Sequence, residues 1–190
     1  MKVAIPNTTE TITGETFYPT PSWFTFFQNV WRAIRGDLGL SLSGMLKVDT
    51  TSAENSGTGA TDLITYSLPA NSLTNDGDVL EIEVWGKYAA NANNKTVILA
   101  FGSQTILTTG VIAANDGTWS IKATIIRTAA STQEIVSNIL SSNSSVSDSA
   151  TRTAGTQTNT AALIIKCVGT GGATSDITQY ALKINLTPNT

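Results

Sequence analysis

Two glutamates, Glu81 and Glu83, stand two positions apart in the segment DVLEIEVWGKY and are the first candidates for chemistry. Because side chains alternate along a strand, their carboxylates point the same way and lie about 6.5–7 Å apart. Carboxylates about 5 Å or 6.5–9.5 Å apart hydrolyse glycosidic bonds, so this spacing is compatible with a glycosidase. Trp85 and Lys87 share the same predicted face, which favours a solvated or subunit-facing strand surface instead. Carbohydrate binding through an exposed Trp85 remains an alternative function.

The residue types on which most enzymes depend are scarce in this chain. It has no histidine, which removes the commonest general base and metal ligand. Its one cysteine, Cys167, lies in the apolar run AALIIKCVG, which predicts a buried strand thiol, and one cysteine allows no intrachain disulfide. The GTGG sequence at 169–172 lacks the following helix that a phosphate-binding loop needs. We therefore expect a protein that is not an enzyme, with no catalytic residue, metal site or cofactor.

Composition and charge exclude further classes of protein. Only 13% of the 190 residues are charged and the formal net charge is −3, whereas nucleic-acid binding calls for a clustered basic face. The first residues, MKVAIPNTTETITGE, contain no apolar segment typical of a signal peptide. No stretch reaches the ~20 apolar residues of a membrane span. We therefore expect neither a nucleic-acid partner nor membrane insertion.

From residue 61 onward the apolar residues recur with a period of two, which predicts strands. We count about eight such segments, separated by turn sequences such as NDG at 75–77 and 115–117. TQEIVSNILSS fits either a helix or a strand, and its hairpin-paired neighbours favour a strand, whereas SNSSVSDSATRTAGTQTN is expected to be a polar loop. In the last segment, SDITQYALKINL, one face is expected to carry Tyr180, Leu182, Ile184 and Leu186. Eight strands favour a mainly β fold, an antiparallel β-sandwich of jelly-roll type.

The N-terminal part of the chain predicts an extended arm over residues 1–20, followed by one amphipathic helix. Ser22 is a suitable N-cap and Gly36 a suitable C-terminal stop for this helix. Most of its apolar side chains follow the i, i+3, i+4 spacing of one helix face, and Phe24 lies beside that face. The predicted partner-binding residues are Trp23, Phe24, Phe26, Phe27, Val30, Trp31 and Ile34.

Five aromatic side chains in this helix would expose about 750–1,250 Å² if nothing covered them. Monomers rarely leave an apolar patch of this size in water. Three surfaces are candidates to bury this apolar face, namely the β domain of the same chain, copies of the helix from other subunits, or a groove on a larger assembly. Because Phe24 widens the apolar face, contact on more than one side is favoured, and we interpret the helix as an anchoring or trimerisation element.

The change of period also predicts the domain boundaries. Residues 1–44 contain the arm and the aromatic helix, and residues 61–190 form the β-sandwich domain. The stretch between them, 45–60, is rich in turn-forming residues and is expected to be a linker.

Four phrases of the sequence resemble structural proteins of tailed-bacteriophage virions. TPSWFTFFQNVWRAIRG is similar to a TPEWFRFFNNL-type segment near the start of many such proteins, with Ser22 in place of the acidic residue. SLPANSLTNDGDVLEIEVWGKYAANANNKTVILAFGSQTIL, GTWSIKATIIRT and SDITQYALKINLTPN resemble a β domain that recurs among them. Together these phrases cover residues 19–36 and most of 61–190.

This resemblance implies a trimeric structural component of a virion, made in the cytoplasm of a bacterial host. Its implied partners are copies of itself, other tail or capsid proteins, and a host cell-surface glycan. The first expectation is a tail fibre or spike, anchored through its N-terminal segment, whose β domain projects outward. The alternative is a capsid decoration or head-fibre protein that stabilises or ornaments the shell. A glycan-degrading spike enzyme is less favoured, because the chain offers no credible acidic pair.

Overall fold

The computed structural model describes residues 44–113, 116–142 and 149–189, and this part of the chain folds into two antiparallel sheets that face each other across one apolar core. The predicted β-sandwich is thereby confirmed. The strands are β1 (Gly44–Asp49), β2 (Ala53–Glu54), β3 (Ala60–Leu68), β4 (Val79–Tyr88), β5 (Thr96–Phe101), β6 (Gln104–Thr108), β7 (Gly117–Ala129), β8 (Thr132–Ser141), β9 (Ser149–Gly155), β10 (Leu163–Thr170) and β11 (Ile177–Thr187).

The order of the strands follows a jelly-roll pattern. The larger sheet runs β1-β11-β4-β7-β8-β9, with β2 paired to β11, and the smaller sheet runs β3-β10-β5-β6. The chain crosses repeatedly between the sheets, so β10 inserts between β3 and β5 while β11 inserts between β1 and β4. This interleaving of early and late strands is typical of jelly rolls, here extended by β8 and β9 at one edge of the larger sheet.

The core forms because each strand turns every second side chain inward. On β4 the inward residues are the apolar ones predicted from the sequence, Leu80, Ile82, Val84 and Tyr88, and all are buried. β10 contributes Ile165 and Cys167 from the facing sheet. Burial raises the pKa of the Cys167 thiol, so the thiol stays protonated and packs as a small apolar group, as expected.

Tight turns are made where the sequence supplies residues that accept a left-handed backbone. Gly102 has φ of 61° and closes the predicted hairpin between β5 and β6. Gly77, in the first NDG, has φ of 94° and precedes β4. Glycine adopts these angles without the steric cost that a Cβ would add.

The structure adds three strands to the eight that the sequence predicts. The stretch predicted as a linker contains most of β1 and all of β2, which both pair with β11, so the strands of the described residues already include Gly44–Asp49 and Ala53–Glu54, well before residue 61. The stretch predicted as a polar loop contains β9, which pairs with β8 along its length. The segment TQEIVSNILSS forms β8, as favoured. The predicted arm and aromatic helix lie outside the described residues.

Candidate functional site

The solvent-facing side of the larger sheet, called here the outer face, contains the four surface residues predicted from the sequence. Glu81, Glu83, Trp85 and Lys87 alternate with the buried residues of β4 and therefore point away from the core. Their strand lies near the middle of the sheet, between β11 and β7. The predicted grouping on one face is thus what the structure shows.

Glu83 is held between two lysines of the neighbouring strands. Lys183 of β11 and Lys122 of β7 lie directly opposite it in the two ladders. Lys122 Nζ is 2.8 Å from Glu83 Oε1, and Lys183 Nζ is 3.5 Å from Glu83 Oε2. The hydrogen bond from Lys122, aided by Lys183, lowers the pKa of Glu83, and the same contact raises the pKa of Lys122. A carboxylate held ionised in this way is poorly suited to act as a general acid.

Glu81 also has a cross-strand partner. Asn185 of β11 lies opposite it and donates a hydrogen bond from Nδ2 to Oε2 at 3.1 Å. Met45 approaches the same place from β1, and these residues line a shallow, charged depression together with Glu83 and Lys122. Glu83 forms ion pairs with Lys122 and Lys183, and Glu81 accepts a hydrogen bond from Asn185. These cross-strand contacts favour the interpretation of Glu81 and Glu83 as part of a surface and not as an acid–base pair.

A second depression on the outer face is aromatic, and we call it the aromatic depression. Trp85 is 37% exposed and Tyr180 is 39% exposed, which leaves part of each ring open to solvent. Leu140 of β8 faces them across Ser120 of β7. The residues that line the depression are Trp85, Gly86, Thr118, Trp119, Ser120, Leu140, Ser141, Ser142 and Tyr180.

A β-bulge places Tyr180 in this depression. Gln179 pairs with Gly86 and Ala181 pairs with Trp85, so Tyr180 is the extra residue of β11 and stands beside Trp85. The prediction that Tyr180 shares the inward face of Leu182 is therefore wrong, because the bulge shifts the alternation by one residue. Bulges are known to re-aim a side chain beside functional sites.

The bulge is fixed from inside the sandwich by the fully buried side chain of Gln179. Its Oε1 accepts a hydrogen bond from the backbone N–H of Ile64 at 3.0 Å, and its Nε2 donates to the carbonyl of Ala181 at 3.1 Å. Ile64 itself lies at an irregularity in the pairing of β3 with β10. One amide side chain thus joins irregular points on two facing sheets and satisfies a backbone group on each.

Gly86 forms the floor of the aromatic depression beside the buried ring of Trp119. A Cβ placed on Gly86 would lie 2.5 Å from Trp119 Cζ2 and would overlap the backbone carbonyl oxygen of Thr178. The close approach of β4 to this ring therefore requires glycine. The hydroxyl rim is also tied together, since Thr118 Oγ1 and Ser142 Oγ lie 3.0 Å apart.

Exposed apolar side chains concentrate on the outer face. The described residues contain eight large apolar side chains that are exposed, and six of them project from this face, namely Met45, Val48, Trp85, Val136, Leu140 and Tyr180. The remaining two are Val111 and Ile164. Sequence analysis identified only Trp85 among the six, because the positions of the others depend on strand order and on bulges.

Backbone N–H groups at the end of the GTGG segment already bind a carboxylate of the same chain. The N–H groups of Gly172 and Ala173 each donate to Asp176 Oδ2 at 2.8 Å, and Asn91 and Asn93 donate to the same carboxylate. Burial by itself raises the pKa of Asp176, but these hydrogen bonds outweigh it and lower the pKa. An external phosphate would find these donors already occupied.

The remaining predictions about sites concern metal ions, membranes and the aromatic helix. Among the described residues, no group of three or more potential ligands could hold a metal ion. None of the same residues belongs to a helix long and apolar enough to cross a bilayer. The predicted anchoring residues, from Trp23 to Ile34, lie outside the described residues.

Fold and surface together define a β-sandwich with jelly-roll strand order, in which one sheet face carries six of the eight exposed large apolar side chains of the described residues. Comparison of the chain with family models, with curated proteins and with solved structures finds no match.

Proposed function

We propose that this chain is a non-enzymatic structural subunit of a tailed-bacteriophage particle, in the form of a trimeric tail fibre or spike. Residues 1–43 anchor it to the particle and bring three copies together, and the β-sandwich contacts the host or a partner protein. The resemblance of four sequence phrases to virion proteins supports this proposal. The low charge, the single buried thiol and the Thr- and Ser-rich strands are also compatible with it.

The observation that carries the contact role is the distribution of exposed apolar side chains. Six of eight lie on the outer face, whereas isolated surface apolar residues scatter over a protein that has no partner. Apolar side chains gathered on one face, rimmed by polar groups, mark interaction sites. The paired charges of Glu83 with Lys122 and Lys183 lie within this face, between Met45 and Val48 of β1 on one side and Val136 and Leu140 of β8 on the other. We therefore assign the outer face as the contact surface of the proposed subunit.

The anchoring role rests on the aromatic residues near the N-terminus. The helix predicted over this segment would present Phe27 and Trp31 on one apolar face. A groove on the particle or the same helices of two other copies would cover that face.

The test is the protein composition of purified particles assembled in cells that supply either the chain or a variant of it. Trp31→Asp and Phe27→Asp should abolish incorporation, because a charge cannot enter an apolar contact without a partner. Thr25→Asp, in the same segment but on the side of the predicted helix opposite the apolar face, is the matched control and should be incorporated normally. The melting temperature of the β-sandwich should be the same in all three variants.

The position and number of copies of this chain on the particle distinguish a tail fibre or spike from a capsid decoration protein. Labelled copies in a few trimers at one vertex or at the tail support a fibre or spike. Many copies spread over the shell would replace this form with a capsid decoration protein. Particles that lack the chain, or that incorporate Trp31→Asp at the normal level, would overturn the proposal.

A further inference from the structure

We propose that the aromatic depression binds a neutral saccharide, with Trp85 and Tyr180 as the stacking residues. This inference deepens the proposed function, on which it rests, because it names the chemistry of the host contact. The ligand is a sugar ring without a formal charge, whether it belongs to a cell-surface polysaccharide or to a free oligosaccharide.

The first argument is the pair of half-open aromatic rings. The C–H groups on one face of a pyranose ring carry a slight positive charge and are attracted to the negative face of an aromatic ring. Trp85 and Tyr180 each keep more than a third of their surface open, and both line the same depression. Tyr180 reaches this place only because β11 carries an extra residue there. The bulge in β11 is therefore what sets a second ring beside Trp85.

The second argument is the chemistry of the remaining lining. Ser120, Ser142 and Thr118 provide hydroxyl groups, which donate and accept hydrogen bonds as a sugar requires. The depression has a volume of about 540 Å³, within the range of about 300–1,000 Å³ that is usual for small-molecule sites. Its floor and rim thus combine an apolar platform with a few polar groups, the usual composition of such a site.

The third argument is electrostatic. No residue that lines the aromatic depression carries a charge. The neighbouring depression on the same face, in contrast, contains Glu83, Lys122 and Lys183, which are paired with one another. A neutral ligand matches the first surface, and an acidic sugar would gain no partner among the lining residues.

The fourth argument is rigidity. Trp85 and Ser120 are fixed by continuous ladders between β4, β7 and β8. Gln179 locks the bulge that carries Tyr180. A weak ligand such as a single sugar ring benefits from a surface that loses little conformational freedom on binding.

The experiment measures saccharide binding to the full-length chain by saturation-transfer NMR and by titration of amide chemical shifts. The neutral probes are glucose, galactose, N-acetylglucosamine and their di- and trisaccharides, and the acidic probes are galacturonate and sialyllactose. The variants are Trp85→Ala and Tyr180→Ala. Val136→Ala is the matched control, because Val136 is an exposed apolar residue of the same face outside the depression.

The expected result is binding of at least one neutral probe, with shifts confined to residues around the depression. Affinity should fall about tenfold in each aromatic variant, the scale of one lost ring contact, and should stay unchanged in Val136→Ala. Binding by Tyr180→Ala that equals the unaltered chain would overturn the proposal. Preference for the acidic probes would overturn it as well.

A second measurement excludes the competing occupant, another copy of this chain. If no probe binds and Trp85→Ala lowers the molar mass measured by light scattering, the outer face is a subunit interface and the saccharide proposal fails. The saccharide proposal is also overturned if no probe binds and Trp85→Ala leaves the molar mass unchanged. These outcomes are separate from the composition of purified particles, so the chain can fail to bind sugar and still prove to be a particle subunit.

Discussion

Replacement of Gln179 by leucine tests whether one buried amide holds the irregular strands together. Leucine nearly preserves the volume of the side chain but removes both of its hydrogen bonds. The N–H of Ile64 and the carbonyl of Ala181 would then lack the partners that lie 3.0 Å and 3.1 Å away in the structure. Since Gln179 is fully buried, water cannot easily replace it. The variant should therefore be destabilised far more than a loss of surface hydrogen bonds would predict.

The magnitude follows from two unsatisfied backbone groups. Each costs about 1–3 kcal/mol when it is buried without a partner, and the new apolar contacts of leucine offset part of the sum. We expect a loss of about 3 kcal/mol in the free energy of unfolding. For a chain of this length such a loss lowers Tm by about 6–12 °C. Urea denaturation, followed by circular dichroism with the m value checked for constancy, measures it.

Gln104 offers a matched control. Its side chain also makes two hydrogen bonds to the backbone, donating to the carbonyl of Ala154 at 2.8 Å and accepting from the N–H of Thr156 at 3.2 Å, but Gln104 is only half-buried and both bonds are open to solvent. Gln104→Leu should cost less than about 1 kcal/mol, because water can take over both bonds. Equal losses in the two variants would refute the role given to burial at Gln179.

Three further predictions follow from the same face and its adjoining loops. Gly86→Ala should lower the free energy of unfolding by about 2–4 kcal/mol in urea titrations, since its Cβ would collide with Trp119 and with the backbone of β11. Lys122→Met should raise the pKa of Glu83 toward its ordinary value, as seen in an NMR titration of the side-chain carboxyl. Asp176→Asn should destabilise the protein by about 2–4 kcal/mol at pH 7, because the carboxylate loses part of its hydrogen bonding. The folded-state pKa of Asp176 is lowered, so its contribution is complete above the ordinary pKa of an aspartate. The difference between the two proteins should shrink as the pH falls below about 4.

Each of these changes has a control in the same chain. Gly59→Ala should be nearly neutral, because a Cβ at Gly59 meets no atom within 4 Å. Lys87→Met removes a lysine from the same face without touching Glu83 and should leave its titration unchanged. Asp62→Asn affects an exposed ion pair with Lys166 and should cost less than about 1 kcal/mol. A large effect in any of the three would contradict the corresponding explanation.

The alternation of β4 was predictable from the sequence, and with it the grouping of Glu81, Glu83, Trp85 and Lys87. In a strand that is buried on one side, apolar and polar residues alternate with a period of two, whichever strands lie beside it in the sheet. The ion pairs of Glu83 were not predictable, because Lys122 and Lys183 come from strands that are distant in the sequence. Periodicity reveals the face of a strand and leaves its neighbours unknown.

Strands without apolar residues also escaped prediction. β9 has the sequence SATRTAG and is exposed along most of its length, so no hydrophobic pattern marks it. It is a strand because β8 offers it an open edge and because Arg152 pairs with Glu134 across the ladder. β2 contains only Ala53 and Glu54 and also depends on its pairing with β11. β1 does contain Met45, Leu46 and Val48, but an irregularity between Met45 and Lys47 interrupts its pairing with β11.

Tyr180 shows the limit of pattern analysis within a strand. The sequence TQYALKINL alternates well enough to place Tyr180 inward with Leu182. The bulge that reverses it depends on the contact of Gln179 with Ile64, more than a hundred residues away in the chain. A buried glutamine next to an aromatic residue is the only local signal, and its meaning becomes clear only with the facing sheet in place.

The pairing of β1 with the final strand determines how the sandwich responds to mechanical load. Tension applied through the residues before Gly44 reaches β1 first, and β1 is bound to β11 through pairs that run from Gly44 and Leu186 to Asp49 and Leu182. Hydrogen bonds between antiparallel strands lie perpendicular to the strand axis. A pull along that axis therefore shears these bonds together, whereas a pull across it opens them one at a time from Gly44. The direction of force would decide whether the first strand holds or peels away.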